Sequence, residues 1–135
     1  MKPALIDTDI LSLFFRNDLA VIEHFREYLQ EYGRMSISIL TFYEILSGLK
    51  HRDALKQIDM FCEFVNNNKV LPLTEKSVEI SSGIYAALRK TGNQIDDIDI
   101  LIAGVALAHD YVLVTHNVHH FNRIEGLEVL DWSTS

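Results

Sequence analysis

A chain of 135 residues, 48% hydrophobic and 23% charged, is long enough for one domain with one core, and its composition argues against disorder. No apolar run approaches the roughly 20 residues that cross a bilayer. The formal net charge of −7 argues against holding nucleic acid by phosphate neutralisation alone, so any such role must use bound cations or a local basic patch.

The single cysteine, Cys62, rules out an intrachain disulfide and fits a reducing cytoplasm. It lies in an apolar helical pattern and is expected in the core. The N-terminus meets Asp7 too early to contain a secretory apolar region, so a cytoplasmic protein is expected.

In chain order, Ala4-Leu5-Ile6 reads as a buried parallel strand that runs straight into Asp7 and Asp9. Thr8 to about Arg16 reads as a short helix, and Asn17-Asp18 breaks it. Leu19 to Tyr32 reads as a longer helix with Val21, Ile22, Phe25 and Leu29 inward, stopped by Gly33. Met35 to Ile39 alternates as a second strand. Helices are expected over Thr41 to about Lys50 and over Arg52 to Val65, the latter with Leu55, Ile58, Phe61, Cys62 and Val65 inward. Asn66 to Asn68 is a turn, and Lys69 to Leu73 is a third strand that Pro72 marks as an edge. Thr74 caps a helix from Glu75 to about Lys90, ended by Gly92.

Asp96 to Ala108 follows as a helix apolar nearly all round, hence central, with Ala103, Gly104, Ala106 and Ala108 small enough for close approach to a sheet. Tyr111 to Thr115 is a fourth strand, Asn117 to Asn122 a polar turn, and Leu127 to Leu130 a short fifth strand. Alternating strands and helices predict an α/β fold: a three-layer sandwich with a central parallel sheet of four to five strands flanked by helices, in one domain spanning 1–135.

Three acids occupy similar places in this topology. Asp7 ends the first strand, Glu44 lies one turn into the helix after the second, and Asp99 lies near the start of the helix before the fourth. Ligands of open α/β sheets collect at the carboxyl ends of strands, where strand order reverses. Each acid also has a purely structural explanation. Asp7 is a good N-cap, Thr41-Phe42-Tyr43-Glu44 matches a capping box, and Asp96, Asp97 and Asp99 suit the positive end of a helix dipole.

Taken together the three suggest a site. Two carboxylates about 5 Å apart at an effective dielectric near 20 repel by about 3 kcal/mol, so three need a compensating cation. Mg²⁺ suits this role, taking oxygen ligands from one or two carboxylates, waters and substrate phosphate. The matching chemistry is phosphodiester hydrolysis.

Five blocks carry a family resemblance: Leu5-Ile6-Asp7-Thr8; Thr41-Phe42-Tyr43-Glu44-Ile45 with Gly48; Asp99-Ile100-Leu101-Ile102-Ala103-Gly104; Leu113-Val114-Thr115-His116-Asn117 with Phe121; and Val129-Leu130-Asp131-Trp132. In this order, over nearly the full chain, they resemble the PIN-domain ribonucleases, and among these the VapC toxins of type II toxin–antitoxin pairs. The resemblance implies a Mg²⁺-dependent endoribonuclease, with Mn²⁺ as a substitute. It further implies inhibition by a cognate VapB-type antitoxin, and a homodimer that can enter a larger complex. By position, Asp7, Glu44 and Asp99 correspond to the family acids and are the expected catalytic and metal-binding residues, with Asp7 and Asp99 as direct ligands. Thr8, Asp9, Ser38, Thr41 and Asn117 are expected to orient them or hold waters. Many family members carry a fourth acid after the fourth strand, where this chain has Asn117, and the number of metals stays open.

His116, His119 and His120 are expected as solvated turn residues, though they could touch RNA phosphate. The run Lys50, His51, Arg52 and Lys56 could steer RNA or simply be wet surface. Two other functions fit parts of the pattern. An inert PIN-like binding module would accommodate the missing fourth acid. A haloacid-dehalogenase-type phosphotransfer enzyme would use Asp7-x-Asp9 but leave Glu44 unexplained.

Overall fold

A computed structural model describes residues 1–134. Its strands are short and all parallel. Strand β1 (Ala4–Ile6) pairs with β4 (Val112–Val114), Leu5 lying opposite Leu113, and β4 pairs in turn with β5 (Val129–Leu130). Strand β2 (Ser36–Ser38) pairs with β3 (Lys69–Leu71). The expected sheet is therefore built as a three-stranded and a two-stranded ladder, with β1 packed beside β2. β3 pairs only with β2, so it is the edge that Pro72 implied, and it ends just before that residue.

The alternation of side chains along a strand divides the core in two. Ala4, Ile6, Val112 and Val114 face α1 (Thr8–Phe15) and α2 (Leu19–Tyr32), packing with Ile10, Val21 and Phe25. Leu5 and Leu113 face the other way, against Ile102, Ala103 and Val105 of α6 (Asp97–His109). β1, β2 and β4 are buried along their whole length, as expected of strands covered on both faces. The three layers thus come directly from the residue-by-residue pattern of the two central strands.

The caps expected for α2 and for α5 (Glu75–Lys90) form. Asp18 accepts from the Val21 N–H, Gly33 ends α2 at φ +78°, and Thr74 and Ser77 make a reciprocal capping box. Elsewhere the boundaries move. α3 (Ile39–His51) starts two residues before Thr41, because Ser38 is its cap. α4 (Leu55–Asn67) starts three residues after Arg52, because Arg52 closes α3 and Asp53 takes a left-handed φ of 53°.

That turn resets the phase of α4. Phe61 is buried while Ile58, Phe64 and Val65 pack against the core. Leu55 and Cys62, expected inside, are exposed. The polar turn before β5 holds a short helix, α7 (Val118–Phe121), whose Phe121 is buried. Among the described residues no helix is long and apolar enough to cross a membrane.

Gly104 of α6 serves a helix contact rather than the sheet contact expected for it. A Cβ at Gly104 would sit 1.9 Å from Ser81 Oγ and 2.6 Å from the Ser77 carbonyl oxygen, both on α5. Backbone cannot give way as a flexible side chain can. Gly104→Ala should therefore destabilise the protein by about 2 kcal/mol or more, read as a lower urea midpoint, despite the better helix propensity of Ala.

Candidate active site

Three strand ends open on one edge: β1 into Asp7, β2 at Ser38 and β4 into Thr115. β1 has β4 on one side and β2 on the other, so strand order reverses around it. The site grows from that point.

Asp7 is 6% exposed. It is both the cap of α1 and a member of an acidic cluster. Its Oδ1 accepts the Thr8 N–H at 2.8 Å and its Oδ2 accepts the Thr115 hydroxyl at 2.8 Å. Asp9 accepts the N–H of Ile10 at 2.7 Å and of His116 at 3.2 Å, which ties α1 to the segment after β4.

Glu44 reaches the site through hydroxyls. Thr8 Oγ1 lies 2.6 Å from Glu44 Oε1 and 3.0 Å from Thr41 Oγ1. The single Thr8 proton goes to the carboxylate, the closer and stronger acceptor. Ser38 accepts the Thr41 N–H at 3.1 Å, which seats that hydroxyl. The capping box expected between Thr41 and Glu44 does not form, since Thr41 lies inside the helix and Glu44 turns toward α1. Asp96, at the N-cap of α6, makes no capping bond, and Asp99 is half-buried with Oδ2 3.3 Å from His120 Nε2.

Electrostatics couple these groups across four elements. Burial pushes the Asp7 carboxyl up to about 7, and the neighbouring charges of Asp9 and then Asp99 add to this, against the hydrogen bonds from Thr115 and Thr8. Burial also raises Asp99, where the pull of His120 is opposed by Asp96, Glu44 and Asp9. Asp9 is raised by burial despite the N–H donors of His116 and Ile10. Asp99 thus links the fields of Asp7, Asp9 and Glu44, and among the described residues none of the four forms a salt bridge with Lys or Arg.

This donor set, carboxylates short of positive charge, suits a hard divalent cation. Among the described residues no three His, Cys, Asp or Glu side chains already close around one point. A cation would then rest on one or two carboxylates, with water or substrate oxygens completing its shell. That is the habit of Mg²⁺.

Of the residues expected to support the acids, Thr8, Asp9, Ser38 and Thr41 are joined to the cluster as described. The Asn117 side chain is exposed, and its backbone N–H donates to Thr115 Oγ1 at 3.0 Å. Sequence reasoning did not single out Thr115, although a hydroxyl directly after a buried strand was the available signal. It also treated the turn histidines as solvated. His120 faces Asp99, and His116 Nδ1 sits 3.0 Å from Asp131 Oδ2, whereas His119 is exposed. Burial tends to raise Asp131, but donors from Ser133 and His116 outweigh it and hold that carboxyl below its usual range.

A parallel α/β sandwich with an acidic cluster at its strand ends is the architecture of the PIN domain, and the PIN-domain family matches residues 4–127. The chain belongs to that family. It is 31% identical to Ribonuclease VapC1 of Methanocaldococcus jannaschii, over 94% of this chain and 86% of that one. It is 28% identical to the tRNA(fMet)-specific endonuclease VapC of Shigella flexneri, over 98% of this chain and 100% of that one. The DNA-bound VapBC of Salmonella typhimurium superposes with a TM-score of 0.85 at 29% identity, covering 98% of this chain and 99% of that chain. Within the PIN domains the chain stands among the VapC-type ribonucleases, and the haloacid-dehalogenase reading falls.

The charge cluster has a consequence for stability. Asp7 binds its proton near pH 7 when folded but near 3.8 when unfolded, so the folded state holds more protons between these values. Without divalent cation, stability should fall as pH rises from about 4 through about 7, and Asp9 and Asp99 act in the same direction. Asp7→Asn should be more stable than the parent by about 2 to 4 kcal/mol at pH 8 and nearly equal to it at pH 4, measured by urea denaturation in EDTA.

Proposed function

We propose that the protein is a Mg²⁺-dependent endoribonuclease, the toxin of a type II pair, and that Asp7, Glu44 and Asp99 carry its chemistry. One observation carries the reading: a carboxylate buried at the switch point of the sheet, its charge opposed by burial and by Asp9 and Asp99, with no Lys or Arg paired to the cluster among the described residues. A divalent ion bound there would polarise a phosphoryl oxygen and supply a nucleophilic water, with Mn²⁺ able to replace Mg²⁺.

The chain's own residues position the reaction. Asp7 is locked by Thr115 and by the first N–H of α1, so its carboxylate presents a fixed edge. Thr8 holds Glu44 in place from across the cleft, itself seated by Thr41 and Ser38. Asp99 enters from α6, with His120 beside it to offset part of the charge. Burial on the strand side keeps bulk water from the inner edge of the site.

Inhibition by a cognate VapB-type antitoxin is inferred from the likeness to VapBC of Salmonella typhimurium. A cytoplasmic location is inferred from the lone cysteine and the enzyme's RNA substrate. A homodimer is expected, and the exposed apolar side chains Ile39 and Tyr43 on α3 offer it a surface.

Incubation with total cellular RNA and Mg²⁺, followed by mapping of cut ends, tests the reading. The wild type should produce discrete new ends. Asp7→Asn and Asp99→Ala should lower the rate by about a hundredfold or more while remaining folded. Thr8→Val, which removes the hydroxyl holding Glu44, should cost about 10- to 100-fold. Full activity in Asp7→Asn would refute the assignment. RNA left intact at every enzyme dose would leave the inert binding module. A small reading frame beside the gene should encode a protein that stops the cleavage when the two are mixed.

A further inference from the structure

Beside the acidic cluster lies a cavity of about 660 Å³ between α1, α3 and α4, and Glu44 is the one acid of the cluster in its lining. Thr8 and Glu44 line its catalytic end, and Arg16 and Arg52 line it as well. Each arginine lies eight residues along its helix from the catalytic residue on the same helix, Thr8 on α1 and Glu44 on α3. Eight residues of helix rise about 12 Å, so the cavity runs two helical turns away from the acids.

Neither guanidinium has an ion-pair partner among the described residues, although the chain carries 19 acids. Arg16 spends only its Nε–H, on the Ser12 carbonyl at 3.4 Å. The rest of the wall is mostly apolar, with Phe15, Ile45 and Met60, and is interrupted by Ser12 and Gln57. The floor is opened by Gly48, where an added Cβ would meet only the Arg52 guanidinium, at 3.8 Å.

An occupant that fits this cavity is anionic at the arginine end, apolar in the middle, and able to share a cation with Glu44 at the other end. A mononucleotide is too short to satisfy both ends, and a nucleic-acid strand meets all three conditions. We infer that the cavity between α1, α3 and α4 is the subsite for the RNA strand flanking the cut, with Arg16 and Arg52 holding its backbone phosphates. This inference rests on the ribonuclease reading and extends it to named positioning residues. The basic run beyond α3 is thereby divided: Arg52 faces the cavity, while Lys50 lies beside Tyr43 on another face of the helix.

The test uses the Asp7→Asn protein, which leaves RNA whole, and a fluorescein-labelled, mixed-sequence single-stranded RNA. Anisotropy is followed against salt concentration. Arg16→Ala and Arg52→Ala should each weaken binding by about 3- to 10-fold, and each should reduce the slope of log K against log salt by about 0.7. Gly48→Leu, which fills the floor without changing charge, should weaken binding and leave the slope alone. Lys76→Ala, an equal loss of charge at an exposed position of α5, should change neither.

In the cleaving protein the two arginine variants should raise KM by a similar factor, with kcat within about twofold. Unchanged affinity and slope in both arginine variants, or an equal effect of Lys76→Ala, would overturn the inference. Arginine-dependent binding by a protein that never shortens RNA would sink the ribonuclease reading and leave the subsite standing. Cleavage with unaltered KM in both variants would do the reverse.

Discussion

The structure is organised around a carboxylate set where burial opposes its charge. Asp7 stands at the end of a strand whose every residue is buried, and its surroundings oppose ionisation through lost hydration and through the fields of Asp9 and Asp99. Two hydrogen bonds to the carboxylate offset part of that cost. Placing an unpaired charge in such a position works against folding.

Hydroxyl groups carry the order of the site from one element to the next. Thr115 joins β4 to Asp7, and Thr8 joins α1 to Glu44 and Thr41 on α3. A hydroxyl suits this work because it donates once and accepts as well, fixing a carboxylate without neutralising it. A lysine or arginine in the same place would fix the acids more strongly but cancel the charge a cation needs. The arrangement keeps positive side chains out of the cluster and leaves two arginines further along the same cavity, where an anionic strand can reach them. Glu44 and the two arginines are thus separated along one cavity, which gives a chain of net charge −7 a local basic patch.

Packing sets the tolerance of this design. The two faces of β1 and β4 belong to separate apolar clusters, so the strand ends are held from both sides. α6, which brings Asp99, is pressed against α5 at Gly104 closely enough to exclude even a methyl group. The position of Asp99 relative to Asp7 is therefore set by helix packing well away from the acids themselves.

The local pattern of the chain was enough to place Asp7, because an apolar run that ends in an acid can be read without knowing what lies across from it. It also placed the caps of α2 and α5, and the blocks of residues that carry the family resemblance, four of them within the matched residues 4–127. Other features needed the folded chain. Glu44 had two readings, a helix cap or a site residue; α3 starting at Ile39 removes the cap, and Thr8 lies opposite the Glu44 carboxylate. Cys62 was placed inside because periodicity shows which residues share a helix face, while the turn at Asp53 decides which face meets the core. The approach of His120 to Asp99 and the shared cavity of Arg16 and Arg52 join residues far apart in the chain. Hydrophobic spacing and capping chemistry act over a few residues and are written locally; the meeting of charges is set by how the layers stack, and only the tertiary structure decides that.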